Sequence, residues 1–130
     1  MGEGAALPGY DVVIATRNRG AALILSLPTI LSQQPAPERV ILVDSSDDPA
    51  ATAAAVHAAA AASGRPERVE LLRGPRGTSV QRNLGLARTR ADVVLLPDDD
   101  SLLWPGAARA MLEVYARDDA SGAGAGAVAG

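Results

Sequence analysis

"DVVIATRNRG" occupies Asp11–Gly20. Val12, Val13 and Ile14 are β-branched neighbours in a short apolar run, the pattern of a strand buried on both faces. The run stops at Thr16, and Arg17, Asn18, Arg19 and Gly20 follow at once. The same punctuation recurs along the chain. "RVILVD", Arg39–Asp44, is a second buried strand and ends in an acid. "RVELLRG", Arg68–Gly74, is a third, less apolar and so nearer a sheet edge. "ADVVLLP", Ala91–Pro97, is a fourth and runs into Asp98, Asp99 and Asp100.

The intervening segments have helical length. Ala21–Gln34 is apolar at helical spacing, with Pro28 expected to kink or split it. After the second strand, Asp47 or Asp48 can cap a helix that has Pro49 in its first turn and continues through the alanines to Gly64. A third helix is expected from about Ser79, and a fourth in "WPGAARAMLEVYARD", with Pro105 near its start. Strand then helix, four times over, predicts an α/β domain with a mainly parallel sheet covered on both faces, a Rossmann-like three-layer plan. The domain is expected over 11–118, after an N-terminal extension of 1–10. The Gly- and Ala-rich stretch 119–130 is expected to be flexible.

Composition excludes several functions. The 130 residues suit one domain. There is no Cys, hence no disulfide, thiolate nucleophile or Cys-ligated zinc, and the single His57 cannot build a histidine-rich metal site. A net charge of -3 with dispersed arginines is not a nucleic-acid surface. Neither a signal peptide nor a bilayer-spanning run is visible, so the chain reads as cytoplasmic, with peripheral attachment to the inner face of a membrane left open.

In parallel α/β sheets ligands bind beyond the carboxyl ends of the strands, near the switch in strand order. Those ends offer Thr16, Arg17 and Arg19, then Asp44, then Arg73 and Arg76, then the three aspartates, while Arg82 sits in the first turns of the third helix. Acids and arginines on one rim fit a polyanion held together with a cation. If the chain stays extended past the fourth strand, Asp98 and Asp100 point the same way and Asp99 the other. Two converging carboxylates are hard oxygen ligands for Mg²⁺ or Mn²⁺. Spacing alone leaves a solvated acidic turn equally open. An acid ending the second strand, as Asp44 does, suits a base or ribose, or else caps the next helix. "GPRGTS" is neither a Walker loop nor a dinucleotide fingerprint. His57 reads as a helix-surface residue. Trp104 reads as a packing residue, with a substrate platform kept open.

Taken together these blocks resemble a known family. "VVIATRNR", "ILVDSSDD" and "GTSVQRNLGLARTRADVVLLPDDDSLLWPGA" are similar, in order and spacing, to the inverting family 2 glycosyltransferases, with their V-V-I-P-T-Y-N-R, V-D-D-G-S-x-D, G-x-x-x-A-R-N-x-G and D-x-D motifs. The resemblance covers Asp11 to about Asp118 and implies a GT-A nucleotide-diphospho-sugar fold of hexosyltransferase type. It implies that Thr16 and Arg17 border the base or ribose, that Asp44 binds the base, most often uracil, and that Asp98 and Asp99 lie near the ribose and diphosphate. Asp100 is then the nearest metal ligand, and Arg82 sits near the diphosphate or sugar. Ala15 stands where the family has Pro, Arg17 where it has Tyr, and Ser45 where a second acid is usual.

The family's acceptor-binding half and catalytic base follow the D-x-D motif at a distance, so the chain reads as the donor half, truncated, with no residue for the base and an unknown saccharide, lipid or protein acceptor. A sheet cut after four strands offers an edge for self-association. The competing reading is a non-catalytic, receiver-like α/β module. It wants a lysine at a late strand end, and this chain has no Lys.

Overall fold

The computed structural model describes residues 7–120 and 127–128, with side chains as far as Arg117. β1 (Tyr10–Thr16) leads to α1 (Gly20–Leu31), β2 (Arg39–Asp44) to α2 (Pro49–Ala62), and β3 (Val69–Arg73) to α3 (Thr78–Leu86). β4 (Val93–Leu95), α4 (Ala107–Ala120) and a two-residue β5 (Ala127–Val128) complete the order. All described strand pairings are parallel, and the sheet runs β3-β2-β1-β4-β5. The chain first adds strands to one side of β1 and then crosses to the other. The switch therefore lies between the carboxyl ends of β1 and β4.

Period-two alternation divides the core. Val12, Ile14, Val40, Leu42, Val93 and Leu95 face one side, where Leu23 and Leu27 of α1, Val56 of α2 and Leu112 of α4 cover them. Val13, Ile41, Val43 and Val94 face the other, under α3. Ile14, Leu42 and Leu95 are at most 1% exposed, and each such side chain contributes about 1.5–3 kcal/mol by leaving water. With almost no aromatic residue in the core, short aliphatic side chains let helix and sheet approach closely. Gly85 of α3 shows the limit: a Cβ there would meet Val13 Cγ1 at 2.4 Å.

Asp48 caps α2 by accepting from the Ala50 amide at 3.0 Å, with Pro49 in the first turn. β3 lies at the sheet edge, in line with its weaker hydrophobicity. Two expectations are corrected. α1 is not split at Pro28 but continues through it, because the proline falls in its last turn on an exposed side and removes a single bond near the end. β4 stops at Leu95, so the aspartates do not continue a strand. Instead Ser101 N donates to Asp98 O at 3.1 Å, closing a turn around them. The expected flexible stretch 119–130 lies partly outside the described residues; where it is described, α4 continues to Ala120 and Ala127–Val128 pair with β4.

Candidate functional site

The carboxyl ends of β1 and β4 open into a cavity of about 440 Å³ at the topological switch. Four arginines (Arg17, Arg19, Arg76 and Arg82) and three aspartates (Asp98, Asp99 and Asp100) line it, with Ala15, Thr16, Gly77, Thr78 and Gln81. Parallel register sets Thr16 beside Asp44 on the neighbouring strand. The turn after β4 then brings Asp99 back over the end of β1, where the Thr16 hydroxyl donates to Asp99 Oδ2 at 3.0 Å. Ser26 of α1 fixes the same turn by donating to the Asp99 carbonyl at 2.7 Å.

The outer acids each take an arginine. Arg82 Nη2 lies 3.1 Å from Asp98 Oδ1, and Arg19 Nη1 lies 3.5 Å from Asp100 Oδ2. Because the three acids sit in a turn, their separation comes from these partners and not from strand alternation. Asp99 is half-buried on Thr16, while Asp98 and Asp100 stand exposed at the cavity.

The loops after β1 and β2 are stitched together. Asn18 sits in the left-handed region at φ 55, a conformation asparagine tolerates better than most residues. Its amide donates to Ser46 Oγ at 2.8 Å, its side chain donates to Asp47 Oδ2 at 3.2 Å, and its Oδ1 accepts from Asp47 N at 3.0 Å. Arg17 donates to the Ser45 carbonyl and, at 2.9 Å, to Asp47 Oδ1. Asn18 and then Arg17 hold the Asp47 carboxyl below the usual carboxylate range.

Asp44 stands apart from this cavity. Its side chain is 1% exposed, and both oxygens are engaged: Oδ1 by Ser46 N at 3.0 Å and by the Ser46 hydroxyl, Oδ2 by Arg73 Nη1 at 3.0 Å. Arg73 also donates to the Ser46 carbonyl at 3.0 Å. A group approaching Asp44 from solvent meets Arg73 first, since the arginine side chain is 54% exposed.

Gln81, in the first turns of α3, was missed by sequence reasoning. It is 4% exposed, and Nε2 donates to the carbonyls of Thr16 (3.0 Å) and Val43 (2.8 Å). Oε1 accepts from Ser45 Oγ (3.2 Å) and from Gly77 N (3.1 Å). Gly77 precedes α3 at φ 140, a conformation open mainly to glycine. One amide thus ties together the ends of β1 and β2 and the loop after β3. A signal existed: Gln81 stands at the Ala of the G-x-x-x-A-R-N-x-G pattern, and its partner Ser45 stands at the position of the second acid. Two departures from one pattern meet in space.

Arg73 and Arg76, at the end of the third strand and in the loop after it, neutralise Asp44 and line the cavity respectively. His57 is exposed on α2, as expected. Trp104 is not a core packing residue: it is 61% exposed and lines an apolar groove with Leu102, Met111 and Val114. No helix among the described residues is long and apolar enough to cross a membrane.

The candidate metal ligands can be weighed from their donors. Asp98 and Asp100 offer hard oxygens, and both line the cavity. Among the described residues no group of three or more His, Asp or Glu side chains is placed to hold an ion. An ion held here by Asp98 and Asp100 would take its other ligands from water and phosphate.

A parallel three-layer α/β domain with an Arg- and Asp-lined cavity at its switch point is the architecture of a nucleotide-diphospho-sugar-binding domain. The model of Glycosyl transferase family 2 matches residues 11–129, and the chain belongs to that family. Its fold is similar to that of a mannosyltransferase from Pyrobaculum calidifontis solved in complex with GDP-Man and Mn²⁺, with a TM-score of 0.66 and 26% sequence identity. The match covers 85% of this chain and 32% of the mannosyltransferase, so the chain spans about a third of that protein's length. No curated protein matches the sequence significantly.

Proposed function

We propose that this chain binds a nucleoside-diphosphate sugar together with Mn²⁺ or Mg²⁺ in the cavity at the β1/β4 switch, as the donor site of a metal-dependent, inverting hexosyltransferase. The observation that supports this best is the cavity itself: four arginines and three aspartates on one rim suit a diphosphate and a cation and little else. Asp98 and Asp100 hold the ion, whose chemistry is to offset charge on the departing nucleoside diphosphate. Arg19 and Arg82 face the phosphates. Asp99, held by Thr16, and Thr16 itself border the ribose. Arg17 replaces an aromatic, and its guanidinium plane supplies a face on which a base can stack.

UDP is the first donor proposed, from the family's use of an acid such as Asp44 on uracil. The GDP-Man bound by the Pyrobaculum protein makes GDP the second. Either base reaches Asp44 only if Arg73 moves aside or joins in its recognition. The acceptor and the base that activates it are assigned to no residue of this chain. A further proposal is self-association through an open edge of the sheet, which predicts sedimentation that depends on concentration; a monomer at all concentrations refutes it.

The test is melting temperature with UDP, GDP, CDP and TDP, each with and without Mn²⁺. A ligand at a hundredfold excess over Kd adds about 2.7 kcal/mol to the native state. The expected result is a shift seen only with Mn²⁺, largest for UDP and absent in Asp98→Ala/Asp100→Ala. A folded sample that responds to no nucleotide overturns the assignment.

A further inference from the structure

The arginines of this rim fall into two kinds. Arg17 and Arg73 are each fixed at two points on the protein, Arg17 on the Ser45 carbonyl and Asp47, Arg73 on Asp44 and the Ser46 carbonyl. Arg82 and Arg19 each rest on one carboxylate only, Asp98 and Asp100 respectively. Those two carboxylates are the ones assigned above to the cation. Their side chains are 69% and 58% exposed, so the pairs are weak and exchange readily. Arg82 is not satisfied where it lies: its Nε is buried with no hydrogen-bond partner.

We infer that Arg82 and Arg19 are exchange residues, which occupy the metal-binding carboxylates in the absence of a cation and pass to the diphosphate when the cation arrives. A divalent ion on either carboxylate weakens its hold on the guanidinium, by drawing on the carboxylate's negative charge and by repelling the arginine's positive one. Binding of the ion to Asp98 and Asp100 therefore frees both arginines inside the cavity they already line. A diphosphate bound there accepts their donors, including Arg82 Nε, in forked charge-assisted bonds. Cation and nucleoside diphosphate then favour each other's binding through the protein, in addition to any ligand they share. Linkage makes that coupling equal in both directions. The inference rests on the proposed donor site and adds to it a competition between protein and metal that a fixed arginine site lacks.

The competition gives the two ligands effects of opposite sign. In the full chain, Mn²⁺ binding without nucleotide is read from the electron paramagnetic resonance signal of the free ion. UDP and GDP binding in saturating Mn²⁺ is read by calorimetry. Arg82→Ala and Arg19→Ala are expected to bind Mn²⁺ alone about two- to fivefold more tightly, the range of an exposed ion pair. The same variants are expected to bind the nucleoside diphosphate about tenfold more weakly, the loss of one charge-assisted bond. Arg88→Ala removes the same charge from the turn after α3, where it pairs with Glu70, and is expected to change neither. Mn²⁺ affinity that is unchanged or lower in both cavity variants overturns the exchange, as does a wild-type chain that takes up no Mn²⁺. A wild-type chain that binds Mn²⁺ but no nucleotide refutes the donor-site reading instead, and the metal-only comparison still reports on the competition.

Discussion

Gln81 Nε2 donates at 3.0 Å to the carbonyl of Thr16, the last residue of β1, from a helix that begins five residues after β3 ends. The same nitrogen reaches Val43 O, and Oε1 holds Ser45 and Gly77. Gln81→Ala leaves several of these buried groups without partners, each costing about 1–3 kcal/mol when no water replaces the amide. A loss of about 2–3 kcal/mol in urea denaturation is expected, because water entering the vacated space recovers part of the cost. Gln81→Glu keeps the shape but replaces the donor nitrogen with an acceptor facing two carbonyls, and is expected to be at least as damaging.

The Asp44–Arg73 pair predicts an asymmetry. Asp44 is buried and Arg73 half exposed, so the two single deletions leave different remnants. Arg73→Ala leaves a buried carboxylate with only Ser46 as partner, an expected cost of about 2 kcal/mol. Asp44→Asn leaves a cation that water can solvate, at about 1 kcal/mol. Chemical denaturation of both variants checks the order, and a larger loss in Asp44→Asn contradicts it.

The fold was legible because its signals are local. Aliphatic runs of strand length stand between helix-length segments, and Asp47, Asp48 and Pro49 mark a helix start to within one residue. The rim was legible as a set of strand ends. What was not legible depends on which groups meet. Nothing in "PDDDS" says that the strand stops two residues before the proline, so the argument from strand alternation failed for Asp98 and Asp100. Nothing in "LLRG" says that Arg73 turns onto Asp44. Gln81 looked like any polar residue of a first turn, because a buried amide is recognised only by the carbonyls around it, and those belong to two other strands.

Tyr10 supplies a pH test. It is 1% exposed and its hydroxyl donates to Pro35 O at 2.7 Å. Burial pushes the phenol pKa well above its ordinary value, with Arg68 opposing the shift in part. A raised folded-state pKa means that the unfolded chain gives up its proton first. Stability is therefore unaffected below pH about 10 and falls as pH rises beyond it, at up to about 1.4 kcal/mol per pH unit for this one proton. Tyr10→Phe is expected to cost about 1 kcal/mol at neutral pH and to flatten that decline. An equal alkaline slope in both proteins contradicts the assignment.

Gly85 links packing to the site. A Cβ at this position would lie 2.4 Å from Val13 Cγ1 and 3.4 Å from Val43 Cγ2, both on buried strands that have no room to retreat. Gly85→Ala therefore lifts α3 away from β1 and β2, at an expected cost of about 1–3 kcal/mol for overpacking, offset in part by alanine's better helix propensity. The same movement carries Gln81 and Arg82 away from the cavity, because both lie one turn earlier on α3. Gly85→Ala should lower the melting temperature and weaken the nucleotide-dependent shift together. In the double variant Gly85→Ala/Val13→Ala, the space left by the valine should restore the nucleotide response while stability stays low, since a small core side chain replaces a larger one. A nucleotide response that survives intact in Gly85→Ala would show that α3 does not position the site.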